Sequence, residues 1–392
     1  MKIIIIFIVA FLLSGCGYDE YKMPENAYIN ISEEKILVFD QVHLYDLIKD
    51  TNTEIVTKNS ILDTDVIGSH EVIIEYKYES KKYKQKITYE IIDETAPIFI
   101  NAATIRTVKV NEDYYPCDEI VFGDNYDREP TCEIDGEIDL TTVDTYNVNY
   151  VIKDSSGNEN RRSLKVNVVD AISNGSSNGS SSKKTLPISN VIEERKNDNT
   201  MIGIDVSVWQ GEIDFERVRN AGVEFVIMRM GINSDIDKDI SVDKYFEQNY
   251  ENAKNAGLKV GIYVYSSAVD TKTAIDHAKW TLDILNGREL DLPIAFDWEN
   301  WSKFRKYKIS IHDLNETFRT FASVINSGGY ETMLYGSKFY LETIWNTEDY
   351  PVWLAHYTSN TNYAGNYILW QMCNYGRVDG INGDVDIDIL YN

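Results

Sequence analysis

Residues 292–299 read Leu-Pro-Ile-Ala-Phe-Asp-Trp-Glu and join an apolar run to two acidic side chains. The apolar run predicts a buried strand over 292–297. Asp297 and Glu299 are two positions apart, so on a strand both face the same side, with Cα atoms about 6.6 Å apart. Two carboxyl groups this close in a partly buried cleft cannot both ionise freely, so one pKa should rise. The pair therefore indicates acid–base chemistry, with a solvated strand end as the alternative.

Three further motifs accompany this pair along the C-terminal half of the chain. They are Gly-Ile-Asp-Val-Ser-Val-Trp-Gln-Gly at 203–211, Leu-Trp-Gln at 369–371 and Gly-Asp-Val-Asp-Ile-Asp at 383–388. In this order, the four motifs resemble the lysozymes of glycoside hydrolase family 25 over residues 200–392. The resemblance implies an irregular α/β barrel, TIM-barrel-like, that hydrolyses the β-1,4 bond between N-acetylmuramic acid and N-acetylglucosamine in peptidoglycan. It implies no metal and no organic cofactor.

Strand-like and helical patterns alternate from residue 201, which favours a parallel α/β barrel. Apolar periodicity predicts helices over 271–286 and 311–327. The predicted strands are 202–206, 224–229, 258–265, 292–297, 330–335, 352–357, 367–371 and 384–390.

The N-terminal half predicts short β-strands in two similar units, 26–93 and 94–170. Each unit contains two consecutive segments in which apolar and polar residues alternate. In the second unit the Ser-Ser-Gly-Asn turn at 155–158 separates these segments and is typical of a hairpin. The layout predicts a repeat of about 75 residues. Both units resemble the immunoglobulin-like β-sandwiches of bacterial surface proteins. The Ser-, Asn- and Gly-rich segment 171–199 is predicted to be a flexible linker.

The N-terminus has the pattern of an export signal over residues 1–15. An apolar run from Ile3 to Leu13 is too short to span a membrane and ends in Leu-Ser-Gly-Cys. This ending resembles a bacterial lipobox, which implies lipid attachment at Cys16, a tether over 16–25 and a cell-surface location. Outside the cytoplasm Cys117 and Cys132 could form a disulfide, whereas Cys373 is predicted to be a buried free thiol.

The resemblance implies roles for four carboxyl groups. Glu299 would protonate the leaving oxygen, and Asp297 would either stabilise positive charge at the sugar ring or position the N-acetyl group. Asp205 and Asp386 would complete the acidic floor, with Asp388 standing where the family pattern has Asn. Six further residues are predicted either to line the cleft or to pack in the core: Tyr263, Tyr265, Trp353, Tyr357, Trp370 and Gln371.

The net charge of the chain limits the classes of molecule that the protein is expected to bind. A formal net charge of −25 argues against nucleic-acid binding, which needs a basic surface. We expect peptidoglycan as the partner and a monomer anchored to the membrane. Two alternatives stay open: a non-catalytic wall-binding or glycan-binding lipoprotein, and a glycosidase for another polysaccharide. The spacing of Asp297 and Glu299 fits both retaining and inverting hydrolysis.

Overall fold

A computed structural model describes residues 21–32, 35–172 and 184–391. The chain divides into two compact units, with the boundary between Glu94 and Thr95. Within the described ranges, no helix is both long and apolar enough to cross a membrane. The predicted signal segment and Cys16 lie outside the described residues.

The first unit is built from β-strands around a small apolar core. Its strands are β1 Ile29–Ile31, β2 Ile36–Leu37, β3 Ile48–Thr51, β4 Glu54–Ile55, β5 Gly68–Tyr78 and β6 Lys81–Ile92. One sheet has the order β2-β6-β5-β4, and β1 pairs with β3. The predicted hairpin is confirmed: β5 and β6 are antiparallel, and Glu79 and Ser80 make the turn with positive φ angles. A two-residue turn of this kind matches the natural twist of paired strands.

The second unit begins with a β-region over residues 95–172 that repeats this layout. Its strands are β7 Ile98–Asn101, β8 Ile105–Lys109, β9 Val121–Gly123, β10 Thr131–Asp135, β11 Thr145–Lys153 and β12 Glu159–Val169. The sheet order β8-β12-β11-β10 matches β2-β6-β5-β4, with the same parallel and antiparallel pairs, and β7 pairs with β9 as β1 pairs with β3. This correspondence is what the predicted repeat requires. Cys117 and Cys132 form a disulfide, and Cys373 is a buried free cysteine.

The remainder of the second unit is an α/β barrel. Its strands are β13 Leu186–Pro187, β14 Thr200–Val206, β15 Phe225–Ile232, β16 Ser241–Val242, β17 Lys259–Tyr265, β18 Ile294–Asp297, β19 Thr332–Ser337, β20 Val352–Ala355, β21 Leu369–Arg377 and β22 Val385–Tyr391. Its helices are α1 Ile188–Arg195, α2 Phe215–Asn220, α3 Phe246–Asn255, α4 Thr271–Leu285, α5 Phe304–Tyr307, α6 Ile311–Ser327 and α7 Lys338–Thr343.

Eight strands close the barrel in the order β14-β15-β17-β18-β19-β20-β21-β22, and β22 pairs with both β21 and β14. All eight predicted strands are present. The expectation of a parallel barrel is wrong for the last strand, because β22 runs antiparallel to both neighbours. The connection from β21 to β22 is seven residues long, too short for the helical crossover that a parallel strand needs.

Alternate residues of the strands face the barrel interior and the helix layer. Phe225, Met333 and Trp353 lie in the interior cluster, whereas Phe296 and Leu334 pack in the outer core with the helices. Gly203 faces inward, and a Cβ atom there would lie 2.4 Å from the ring of Phe225. Because Gly203 has no side chain, the ring of Phe225 can occupy this space.

The predicted linker is too long at its C-terminal end. Residues 186–195 form β13, which pairs with β21, and α1, whose Ile188 and Val191 are buried in the core of the barrel. Ile188 and Val191 have the spacing of one helix face. The charged residues around them led to the prediction of a linker instead of a helix.

The β-region packs directly on the barrel, next to the segment that follows Glu299. Arg305 donates hydrogen bonds to the carbonyl oxygens of Cys117 and Ile120, and its guanidinium lies 4.4 Å from the ring centre of Phe122. The ring of Phe304 fills the space that a Cβ on Gly123 would need. The β-region is thus part of the same compact body as the barrel.

Helix α6 is also fixed by the β-region. The amide groups of Ile311 and His312, in its first turn, donate to the carbonyl oxygens of Asp124 and Asn125. The carboxyl group of Asp313 accepts two hydrogen bonds from Arg128, at 2.8 and 2.9 Å. Backbone amides at the start of a helix have no hydrogen-bond acceptor within the helix. The β-region supplies carbonyl acceptors for two of them.

Candidate active site

The acidic residues of the four motifs converge at one end of the barrel. Asp205 and Asp297 lie near or at the C-terminal ends of β14 and β18, and Glu299 follows Asp297 by two residues. Asp386 lies at the start of the antiparallel strand β22, directly opposite Asp205. The reversed direction of β22 brings its N-terminal end to the end where the parallel strands finish, which explains how all four groups meet.

Asp297 and Glu299, the mouth pair, lie within hydrogen-bond contact of each other. Asp297 is buried, and removal from water together with the charge of Glu299 raises its pKa well above the usual range. Glu299 as a residue is exposed, but its carboxyl group is crowded by protein atoms, and this desolvation raises its pKa as well. The mouth pair therefore retains a proton at a pH where isolated carboxyl groups have lost theirs.

Asp205, Asp386 and Asp388 form a second group, the floor trio, on two neighbouring strands. Burial and the charge of Asp205 raise the pKa of Asp386 to about 9. Burial and the charge of Asp386 raise the pKa of Asp388 to about 8. Burial and the charge of Asp388 also raise the pKa of Asp205 well above its usual range.

Gln371 connects the acids to the aromatic wall of the site. Its Nε2 donates to Oδ2 of Asp205 at 2.7 Å. Its Oε1 accepts from the hydroxyl groups of Tyr335 at 2.9 Å and Tyr357 at 3.0 Å. Because both ends of the amide are engaged, the side chain of Gln371 has one orientation and holds Asp205 in a fixed position.

Two cavities meet at Glu299. The smaller, about 180 Å³, is lined by Asp205, Tyr263, Asp297, Glu299, Tyr335, Trp353, Tyr357, Gln371 and Asp386. The larger, about 620 Å³, shares Glu299, Tyr335 and Tyr357 with it and extends past Trp301, Tyr340 and His356. The carboxyl group of Glu299 thus has acids on one side and an aromatic pocket on the other.

Four of the six residues predicted to line the cleft or pack in the core do line the smaller cavity: Tyr263, Trp353, Tyr357 and Gln371. Tyr265 lies beside Asp297 on the neighbouring strand, where burial and the nearby acids raise its pKa, but it lines neither cavity. Trp370 belongs to the outer core and donates its indole N–H to the carbonyl oxygen of His356. For Trp370 the core-packing alternative holds, because side chains alternate along β21 and Gln371 takes the inward position.

Two residues of the site were missed by the sequence analysis. Tyr335 contacts Glu299 and Gln371 from β19. Arg229, buried near the end of β15, forms an ion pair with Asp243 at 2.6 Å and lowers the pKa of Asp297. Both stand at the C-terminal ends of predicted strands, so the strand-end rule that selected Asp297 would have found them.

An α/β barrel that carries paired carboxyl groups with raised pKa values at the C-terminal ends of its strands has the architecture of a glycoside hydrolase. The comparison with protein families agrees with this class. Residues 204–381 match the model for Glycosyl hydrolases family 25.

Curated relatives match about half of the chain. The autolytic lysozyme of Clostridium acetobutylicum is 32% identical over 193 residues, which cover 48% of this chain and 55% of the relative. Lysozyme M1 of Streptomyces globisporus is 29% identical over 204 residues, covering 47% of this chain and 65% of the relative. The chain thus spans little more than half the length of the first of these relatives.

A solved structure also aligns with about half of the chain. The bacterial lysozyme of Streptomyces coelicolor is 25% identical, with a TM-score of 0.42, over 50% of this chain and 94% of that one.

Proposed function

We propose that the chain is an N-acetylmuramidase that hydrolyses the β-1,4 bond between N-acetylmuramic acid and N-acetylglucosamine in peptidoglycan. The observation that carries this proposal is the position of Glu299 at the junction of the two cavities, with Asp297 in the smaller of them. A polysaccharide lying across this junction would place one sugar over the acids and the next sugar in the aromatic pocket. The bond between the two sugars would then lie beside Glu299.

Glu299 is the general acid in this proposal. It is the exposed member of a pair that retains a proton, so it can deliver that proton to the glycosidic oxygen as the bond to the sugar breaks. Asp297, behind it, either stabilises the positive charge that develops on the sugar ring or positions the N-acetyl group. The tyrosine and tryptophan rings around the cavities offer flat faces on which sugar rings pack.

The deciding experiment incubates the full chain with purified peptidoglycan and analyses the released fragments by mass spectrometry. We expect fragments with reducing N-acetylmuramic acid ends from the native protein and from Glu348→Gln, an exposed control for the same chemical change. Glu299→Gln should release none of them while remaining folded.

Other outcomes point to other functions. Reducing N-acetylglucosamine ends would identify a different bond as the target. Wall binding without any release would favour the glycan-binding alternative, and release by Glu299→Gln would remove Glu299 from the role of acid. Release from a different polysaccharide alone would favour the second alternative.

We further propose that the protein is exported and held at the cell surface through a lipid on Cys16, with the two β-regions as immunoglobulin-like domains before the barrel. The short apolar run before Leu-Ser-Gly-Cys supports export, and the matching strand order of the two β-regions supports a duplicated domain. Detergent-phase partitioning of the protein from cells, lost in Cys16→Ser, tests the anchor.

A further inference from the structure

We propose that Asp205 and Asp388 hold one proton between their carboxyl groups, and that Asp388 is a positioning residue that keeps Asp205 in place through this proton. The inference rests on the proposed function for its catalytic consequence. It assigns a role to Asp388, which lines neither of the two cavities.

The geometry requires a hydrogen atom between the two groups. Asp388 is fully buried, and its Oδ1 accepts a hydrogen bond from the indole N–H of Trp353 at 2.8 Å. Its Oδ2 has no N–H or O–H donor among the described residues, and its side chain lies in hydrogen-bond contact with that of Asp205. Two ionised carboxyl groups have no hydrogen to share and would repel each other in this buried place, so one of them must carry a proton.

The surroundings favour retention of that proton. Asp386 faces Asp388 from the same strand, and Glu299 acts on Asp205 from the mouth pair. Trp353 and Gln371 donate from β20 and β21, and the Cys373 thiol on β21 lies close enough for its own pKa to be raised in part by Asp386 and Asp388. Burial, followed by repulsion between like charges, raises the pKa values of the pair, and that of Asp388 reaches about 8.

The shared proton has a mechanical consequence for the site. Asp205 is held from one side by Gln371 and from the other by the carboxyl group of Asp388. When the pH rises far enough for both carboxyl groups to ionise, the proton leaves, and the second contact turns from attraction into repulsion. An amide at position 388 would donate an N–H to Asp205 at every pH, whereas an apolar side chain would never donate.

The test compares kcat/KM of the native full chain, Asp388→Asn and Asp388→Leu on solubilised peptidoglycan strands across pH 5 to about 10. The informative quantity is the ratio of Asp388→Asn to the native protein at each pH, because ionisation of Glu299 affects both proteins alike and cancels. We expect a flat ratio at low pH that rises about tenfold per pH unit above the titration of the pair. A ratio that stays flat to the highest pH overturns the proposal.

The leucine variant separates donation from packing. Asp388→Asn should keep activity within about tenfold of the native protein at low pH, whereas folded Asp388→Leu should lose at least about a hundredfold. Equal losses in both variants would show that the charge of Asp388 matters instead of its proton. If the leucine variant does not fold, the pH dependence of the asparagine ratio still decides.

Infrared difference spectroscopy tests the shared proton without any substrate. At pH 7, native minus Asp388→Asn and native minus Asp205→Asn should each show the loss of the same protonated-carboxyl C=O band. Two different bands, or no band, would overturn the proposal. Because this measurement does not depend on activity, it stands even if the protein releases nothing from peptidoglycan, an outcome that would count against the proposed function alone.

Discussion

The mouth pair and the floor trio use the same chemical groups in two different ways. In both, carboxyl groups lie in contact and burial raises their pKa values. In the mouth pair, Glu299 is exposed and opens onto both cavities. In the floor trio, Asp388 is fully buried, and N–H groups of Trp353 and Gln371 fix the carboxyl groups of Asp388 and Asp205. The difference teaches that contact between carboxyl groups does not by itself decide the role of their proton. A proton that faces a cavity can be transferred to a substrate, whereas a proton that is fully buried can only hold the structure.

The largest effect should come from removing the transferable proton. Glu299→Gln should lower kcat on peptidoglycan about 10³-fold or more, within the range typical of general acids. On a synthetic chitooligosaccharide with an activated aryl leaving group the loss should be much smaller, because such a group departs without protonation. Steady-state kinetics on both substrates measures this, and equal losses on the two would contradict the acid role.

A smaller loss, with a shift in pH dependence, is expected for Asp297→Asn. The hydrogen bond with Asp297 lowers the pKa of Glu299, and an amide N–H is a weaker donor than a carboxyl O–H, so the pKa of Glu299 should rise and activity should extend to a higher pH. We expect kcat to fall about 10²-fold. The pH profile of kcat/KM measures the shift, and an unchanged or lower upper limit would show that the hydrogen bond with Asp297 does not lower the pKa of Glu299.

Tyr335→Phe should move the same limit in the same direction. The hydroxyl group of Tyr335 can turn its one hydrogen from Gln371 to the ionised carboxylate of Glu299, which lowers the pKa of Glu299. Loss of the hydroxyl group should therefore raise that pKa and extend activity to higher pH. The cost in kcat/KM should be about fivefold, equivalent to ~1 kcal/mol for one neutral hydrogen bond. The matched control is Tyr357→Phe, which removes the other donor to Gln371. If both variants gave the same shift, the effect would come from Gln371 and not from Glu299.

The smallest effect should come from the contact between the barrel and the β-region, and it should be an effect on stability. Arg305→Ala removes two hydrogen bonds to backbone carbonyls and the contact with Phe122, so the unfolding free energy of the second unit should fall by about 1–2 kcal/mol. The control Lys308→Ala breaks an exposed ion pair with Glu129 and should cost less than about 1 kcal/mol. Urea unfolding measures both, and equal effects would show that the contact with the β-region contributes little.

The sequence predicted the barrel strands well because apolar runs are a local signal. Helix α6 was predicted over 311–327 and is found there, and α4 ends one residue earlier than predicted. The direction of β22 could not be predicted in this way, since periodicity is the same for a strand read in either direction. For the same reason the pattern could not tell that Gln371 faces inward and Trp370 outward.

The site was predicted in part. Motif resemblance and strand ends selected Asp205, Asp297, Glu299 and Asp386, which the structure brings together. The relation between Asp205 and Asp388 depends on the register of two strands far apart in the chain, so local patterns carry no information about it. The contacts between the β-region and the barrel could likewise not be predicted from local patterns, because they join residues almost two hundred positions apart.

The docked β-region limits how this protein can exchange parts with others. A recombination event at residue 200 would follow the limits of the motifs, but it would leave Phe304 and Arg305 without Gly123 and Phe122, and the first turn of α6 without its carbonyl partners. Inheritance of the barrel with residues 95–172 attached keeps these contacts intact. We therefore expect natural or engineered chimeras to remain soluble and active when they join at the boundary between Glu94 and Thr95, and to fail more often when they join at residue 200.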